Sequence, residues 1–170
     1  YDIRFQSVIH HRIRVMTTEN NNLQQRYRLE AREWLAGNMA PLEERELFAT
    51  LHWMPSREKE DQHHLDCQQR QGKLYEAGYA GITVPKEYGG HGGEPWMQRI
   101  FREESVGYQV HTGFYNSIIS MALPALLRHG TDDQKIKHIP TLISGEVSWC
   151  QLFSEPGAGS DLAGLATRAE

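Results

Sequence analysis

The segment Ser154-Glu155-Pro156-Gly157-Ala158-Gly159-Ser160-Asp161 carries the residue types that a close-fitting ligand loop needs. Pro156 fixes the backbone at a turn, while Gly157 and Gly159 remove Cβ atoms and open the positive-φ region. Successive N–H groups on such a turn can converge on an anion or on the polar edge of a ring. Ser154 and Ser160 add hydroxyls that donate or accept. Neither the Walker spacing nor the dinucleotide fingerprint is present. The same composition also serves an ordinary Gly/Pro turn between strands, so spacing alone leaves both readings open.

Three other groups have chemistry within reach. Glu104 shares a helical stripe with Met97, Ile100 and Tyr108, where a carboxylate could set the depth of a pocket. The commoner use of a buried carboxylate is an ion pair, here with Arg99, Arg102 or Arg128. His63 and Cys67 lie four apart on a predicted helix, with His64 and Asp66 beside them. A closed metal site needs three or four ligands and no second cluster is evident, so a solvated face accounts for them better. His91, inside Gly89-Gly90-His91-Gly92-Gly93, reads as an exposed imidazole on a flexible turn.

The elements that must position these residues are mostly helical. From Leu23 to about Met39 good helix formers recur, with Leu23, Tyr27, Ala31 and Trp34 or Leu35 at helical spacing, and Pro41 closes the segment. Ser56 is an N-cap for a second helix running to about Ala77, whose polar middle, Glu58 to Gln71, must largely face water. Residues 78–93 are punctuated by glycine and proline and read as loop. Pro95 suits the first turn of a third helix, carrying the stripe to Tyr108. A fourth, about Thr112 to Arg128, is apolar nearly all round and is predicted to be buried. Thr131 to Gln134 has the capping-box spacing of a fifth helix, which Pro140 should break or kink. Then Val147, Trp149, Gln151 and Phe153 alternate with Ser148, Cys150, Leu152 and Ser154, which predicts a strand.

Composition narrows the class. The chain has 170 residues, and Lys+Arg 18 against Asp+Glu 22 gives a net charge of −4, so a global basic footprint for nucleic acid is absent. A charged fraction of 24% is ordinary for a folded protein. No apolar run is long enough for a membrane span. Two cysteines, Cys67 and Cys150, make no disulfide framework and suit a reducing compartment. The first residues carry Arg4, Arg12 and Arg14 against Asp2, a transit-like bias on a segment that is short and poor in serine. Met16 reads as a native start. Both ends, Tyr1 and Glu170, look cut.

Trp149-Cys150-Gln151-Leu152-Phe153-Ser154-Glu155-Pro156-Gly157-Ala158-Gly159-Ser160-Asp161-Leu162-Ala163-Gly164-Leu165 resembles the flavin-contacting signature of acyl-CoA dehydrogenases. Tyr75 to Gly93, Leu123 to Leu127, His129-Gly130-Thr131, Gln134-Lys135 and Ser144-Gly145-Glu146 are similar to the family's runs ahead of that signature. The resemblance covers roughly residues 23–170. It implies a mostly α chain: a helical bundle domain over 23–145, then the first strand or strands of a middle β-domain over 146–170. Residues 1–22 stand outside it, as a segment that is non-native or disordered.

The resemblance further implies FAD as cofactor and α,β-dehydrogenation of an acyl-CoA thioester of the fatty-acid β-oxidation type. Electrons would pass to an electron-transfer flavoprotein, in a homodimer or homotetramer of the cytoplasm or, in a eukaryote, the mitochondrial matrix. By the same resemblance Gln151, Leu152, Phe153, Ser154, Gly159 and Ser160 contact the cofactor, with Phe153 and Ser154 near the ring edge. Gly159 and Ser160 lie nearer the pyrophosphate, and Ser160 also touches substrate. Phe153 is bulkier than the residue often found at that position. The family's catalytic glutamate belongs to a later domain that these residues do not include, and Glu155 is expected to shape its loop instead. The alternatives are a related flavoenzyme, such as an acyl-CoA oxidase or nitroalkane oxidase, or a non-catalytic helical binding module.

Overall fold

The computed structural model describes residues 3–42, 56–150 and 154–168. Five helices account for most of them: α1 (Ile3–Asn38), α2 (Arg57–Glu76), α3 (Pro95–Glu104), α4 (Phe114–His129) and α5 (Asp132–Ser144). Short 3-10 turns sit at Lys86–Tyr88, Ser105–Gly107 and Leu162–Gly164. Helix α1 begins well before the periodic stripe, because no glycine or proline interrupts the chain ahead of Gly37. Of that stripe Ala31 and Leu35 are fully buried, whereas Leu23 is exposed.

The caps follow local chemistry. The Ser56 hydroxyl accepts from the Lys59 N–H at 3.4 Å to start α2. Pro95 occupies the first turn of α3. At α5 the Thr131 side chain accepts from Gln134 N–H, and the Gln134 side chain accepts from Thr131 N–H, a complete capping box.

Two cores result. The first joins Ala31, Leu35 and Met39 of α1 to Leu74, Ile82 and Phe101. The Tyr79 ring stacks on Phe101 with centroids 4.3 Å apart, and Trp34 tilts against Tyr79 at 4.8 Å. Burial beside Tyr79 and Glu30 pushes the Tyr27 hydroxyl up to about 12. The second core sets Val84 against Ile139 and Ile143, with Leu123, Leu126 and Leu127 of α4 partly buried around it.

Between them, residues 78–93 double back on themselves. Gly92 N–H donates to Val84 O and Gly93 N–H to Ile82 O, each at 2.7 Å. The turn is therefore hydrogen-bonded rather than flexible, and the exposed His91 ring lies on Gly78.

The polar middle of α2 is mostly exposed, as its composition requires, with Cys67 and Gln71 as its buried positions. Three expectations are corrected. Helix α5 runs through Pro140 to Ser144 without a break, with the proline ring seated against Gly89. Helix α4 is not enclosed: Tyr115 and Ile118 are buried but Met121 is 45% exposed. Residues 147–150 form no strand, and the rest of that predicted strand, 151–153, lies outside the described residues. A strand without a ladder partner is not held, and among the described residues none pairs with it.

Helices α1 and α3 are joined by ions as well as by apolar contact. Arg28 donates to Glu104 at 2.5 Å and to Glu103 at 2.6 Å, and Arg32 donates to Glu104 at 2.8 Å. The Glu104 side chain is only 11% exposed. Its partners come from α1, not from Arg99, Arg102 or Arg128. The hydrogen bond from Arg32, then that from Arg28, holds its carboxyl below the usual glutamate range against the opposing pull of burial.

Two predictions follow from this packing. A Cβ at Gly90 would lie 2.2 Å from Val84 O, whereas one at Gly72, inside α2, would meet no atom within 4 Å. Gly90→Ala should destabilise by about 2 kcal/mol or more, and Gly72→Ala should stabilise by about 0.5–1 kcal/mol, read from urea unfolding midpoints. Glu104→Gln should cost about 2 kcal/mol at neutral pH. Since the folded carboxyl value is depressed, that difference is full above the ordinary value of 4.5 and closes as pH falls through the lower folded value. A pH series of unfolding midpoints in which the gap stays constant under acid would remove the ion pair as its cause.

Candidate functional site

The chain leaves α5 in a direction set by α2. Gln71, 4% exposed, donates from Nε2 to Ile143 O at 2.6 Å, and Gln68 donates to Gly145 O at 3.0 Å. These amides satisfy carbonyls that a helix C-terminus leaves without intrahelical partners. Gly145 has φ of 78°, and a Cβ there would lie 2.8 Å from Gln71 Cγ, so the left-handed turn and the close approach both require glycine. Val147 N–H then donates to Thr141 O at 3.2 Å, and Trp149 meets His138 edge-on at 5.4 Å.

Of the flavin-contacting residues implied by resemblance, Gln151, Leu152 and Phe153 lie outside the described residues. Ser154, Gly159 and Ser160 are all exposed on one loop. Within it Glu155 and Ala158 exchange backbone hydrogen bonds of 2.9 and 3.1 Å, and Ala158 is 3% exposed. Gly164 N–H donates to Asp161 O at 3.2 Å and closes a second turn.

Neither Gly157 nor Gly159 takes up positive φ. Their use lies in space instead: a Cβ at either would meet nothing within 4 Å, so the backbone surface there is bare. Among the described residues the N–H groups of Gly157, Gly159, Ser160 and Asp161, and the hydroxyls of Ser154 and Ser160, have no hydrogen-bond partner. Unengaged donors on bare backbone suit an acceptor-rich ligand.

The Glu155 carboxylate is engaged across the loop. It accepts from Ala166 N–H at 2.9 Å, from Thr167 N–H at 2.7 Å and from the Thr167 hydroxyl. The Thr167 hydroxyl, then the two backbone N–H groups, holds its carboxyl below the usual range. That is opposite to what a general base poised near neutral pH requires. The expectation that Glu155 shapes its loop agrees with this geometry. Thr167 escaped sequence reasoning, because a contact across a loop leaves no periodic trace.

The remaining candidates resolve simply. Glu104 is engaged by two arginines. His63 Nε2 lies 3.5 Å from Cys67 Sγ, and His64 stacks on Tyr115, with its Nε2 3.3 Å from the hydroxyl. Burial pushes the Cys67 thiol up. Among the described residues no group of three His, Cys, Asp or Glu side chains could hold a metal ion, and no helix is long and apolar enough to cross a membrane.

Residues 21–146 match the family described as acyl-CoA dehydrogenase, N-terminal domain. The chain is 40% identical over 106 residues to the acyl-CoA dehydrogenase FadE34 of Mycobacterium tuberculosis, covering 62% of this chain and 14% of that protein. It is 32% identical over 151 residues to the acyl-CoA dehydrogenase IpdE1 of Mycolicibacterium smegmatis, covering 86% of this chain and 36% of that one. Its fold is similar to a chain of the ChsE4-ChsE5 complex from Mycobacterium tuberculosis, with a TM-score of 0.53, 29% identity, and coverage of 84% of this chain and 33% of that chain. The chain thus spans little more than a third of the length of these relatives, or less. With helices in the order above and a family match over most of its length, the chain belongs to the acyl-CoA dehydrogenase family, of which it carries the N-terminal helical domain.

Proposed function

We propose that this chain supplies the helical part and a flavin-contacting loop of an FAD-dependent enzyme that dehydrogenates acyl-CoA thioesters between the α and β carbons. One observation supports the reading at the loop: the donors of Ser154, Gly157, Gly159, Ser160 and Asp161 lie together without partners among the described residues, beside glycines with open space. Membership of the family supports it for the chain as a whole.

The residues fit the group. FAD, when bound, supplies the hydride acceptor for the dehydrogenation. Bare backbone at Gly159 and the N–H of Ser160 suit the negative charge of a pyrophosphate. The Ser154 hydroxyl, with Gln151, Leu152 and Phe153, serves the ring edge. Ser160 reaches both cofactor and acyl-CoA. The residues of this chain bind and orient in this reading, and none is nominated as the proton-abstracting base. Glu155 and Glu104 are both ionised and engaged elsewhere.

The finer parts of the proposal rest on family membership alone. They are a fatty-acid β-oxidation substrate, an electron-transfer flavoprotein as acceptor, a homodimer or homotetramer, and a cytoplasmic or mitochondrial-matrix location.

The test is made on the full-length protein. Removing one hydrogen bond should cost about 1 kcal/mol, so Ser154→Ala should raise the FAD dissociation constant about fivefold or slow flavin reduction by acyl-CoA to a similar degree. Flavin fluorescence and anaerobic reduction measure the two effects. Unchanged affinity and unchanged reduction would take Ser154 out of the site, and a purified full-length protein that binds no FAD would end the flavoenzyme reading.

A further inference from the structure

Resting on that flavin reading, we propose that Glu155 is the positioning residue of the loop: it clasps residues 166–167 and so holds the 156–161 turn in the shape that offers its free donors to the cofactor. The residue works from both ends. Its backbone exchanges two hydrogen bonds with Ala158, which fixes the tight turn around Pro156 and Gly157. Its carboxylate takes three from residues 166 and 167, which closes the wider loop. Closing a loop of that length costs entropy that the bare Gly157–Ser160 backbone cannot return through side-chain packing. Ala158 is the one buried residue in the turn, and it is small.

Charge explains why the carboxylate needs partners of its own. A carboxylate facing a bound pyrophosphate would repel it at short range, and the repulsion grows as water leaves the site. Three donors from residues 166 and 167 disperse that charge and hold the group ionised without a cation. The same donors remove it as a competitor for the N–H groups of Gly159 and Ser160. Glutamate at this position therefore serves the ligand without touching it.

The experiment uses the full-length protein with Glu155→Ala, Glu155→Gln and Thr167→Val. Amide hydrogen exchange at Ala166 and Thr167 is read in the FAD-free protein, the FAD dissociation constant by flavin fluorescence, and the unfolding midpoint of the helical part in urea. In Glu155→Ala, both amides should exchange about tenfold faster and FAD should bind about tenfold more weakly, with the helical midpoint unmoved. Glu155→Gln keeps an acceptor oxygen and should fall between that variant and wild type. Thr167→Val loses only the hydroxyl and should shift FAD affinity the same way by less.

Faster exchange with unchanged FAD affinity overturns the positioning role. A helical midpoint that falls in step with FAD affinity also overturns it, because the residue is then ordinary scaffold. A wild type that binds FAD while Ala166 and Thr167 exchange freely overturns the clasp alone. A wild type that binds no FAD overturns the flavin reading, and this role with it.

Discussion

The hydrogen bond from the buried Gln71 amide to Ile143 O is the constraint on which the exit from α5 depends. A helix C-terminus leaves carbonyls without intrahelical partners, and burying one unpaired costs about 1–3 kcal/mol. Gln71 meets that need from another helix, and Gln68 repeats the device one turn earlier at Gly145 O. Helix α5 is thereby fixed to α2 by polar contacts whose geometry is narrow, where apolar contact alone would allow it to slide. The left-handed Gly145 follows from the same closeness, since Gln71 occupies the space of its missing Cβ. The direction in which the chain leaves α5 is set by these two amides and one glycine.

The rest of the helical part is arranged to keep that joint still. The α1–α3 pair is held by Ala31, Leu35 and Phe101 below and by Arg28, Arg32, Glu103 and Glu104 at the rim. The residues 78–93 link the two cores, sending Ile82 into one and Val84 into the other. Gly90 lies so close to Val84 that the doubled-back turn leaves no room for any side chain there. Helix α4 is the exception. It contributes Leu123, Leu126 and Leu127 to the second core yet keeps apolar surface at Met121 uncovered.

What was legible in the sequence was local. Ser56, Pro95 and Thr131 mark helix starts because a cap is decided by residues within one turn of it. Apolar spacing marks the later part of α1, α3 and α4, the caps mark α2 and α5, and the glycine punctuation marks the loop between α2 and α3. What escaped was decided by residues distant in sequence. Gln71 reads as one more polar residue on a solvated face until α5 is known to end against it. Pro140 reads as a breaker until its ring is known to rest on Gly89. Glu104 was correctly read as an ion pair, but its partners lie more than seventy positions away on α1, where no periodicity points. The apolar signal of α4 gave burial on all sides, although spacing cannot say which faces have neighbours.

The candidate loop shows the same division inside a single stretch of residues. Its glycines and serines announce a surface made for backbone contact, and those donors have no partner among the described residues. Their physical use differs from the one spacing suggested, since neither Gly157 nor Gly159 adopts positive φ. Glycine there supplies absence of bulk, not unusual backbone geometry, so a small side chain would be excluded only by a ligand and not by the fold. Gly145 and Gly90 lie under the opposite rule, because the protein itself fills the space of the Cβ. Open space alone does not mark a ligand, since Gly72 inside α2 is equally open; at 157–159 it coincides with backbone N–H groups that have no partner among the described residues, and that coincidence is what suits the loop to something that binds.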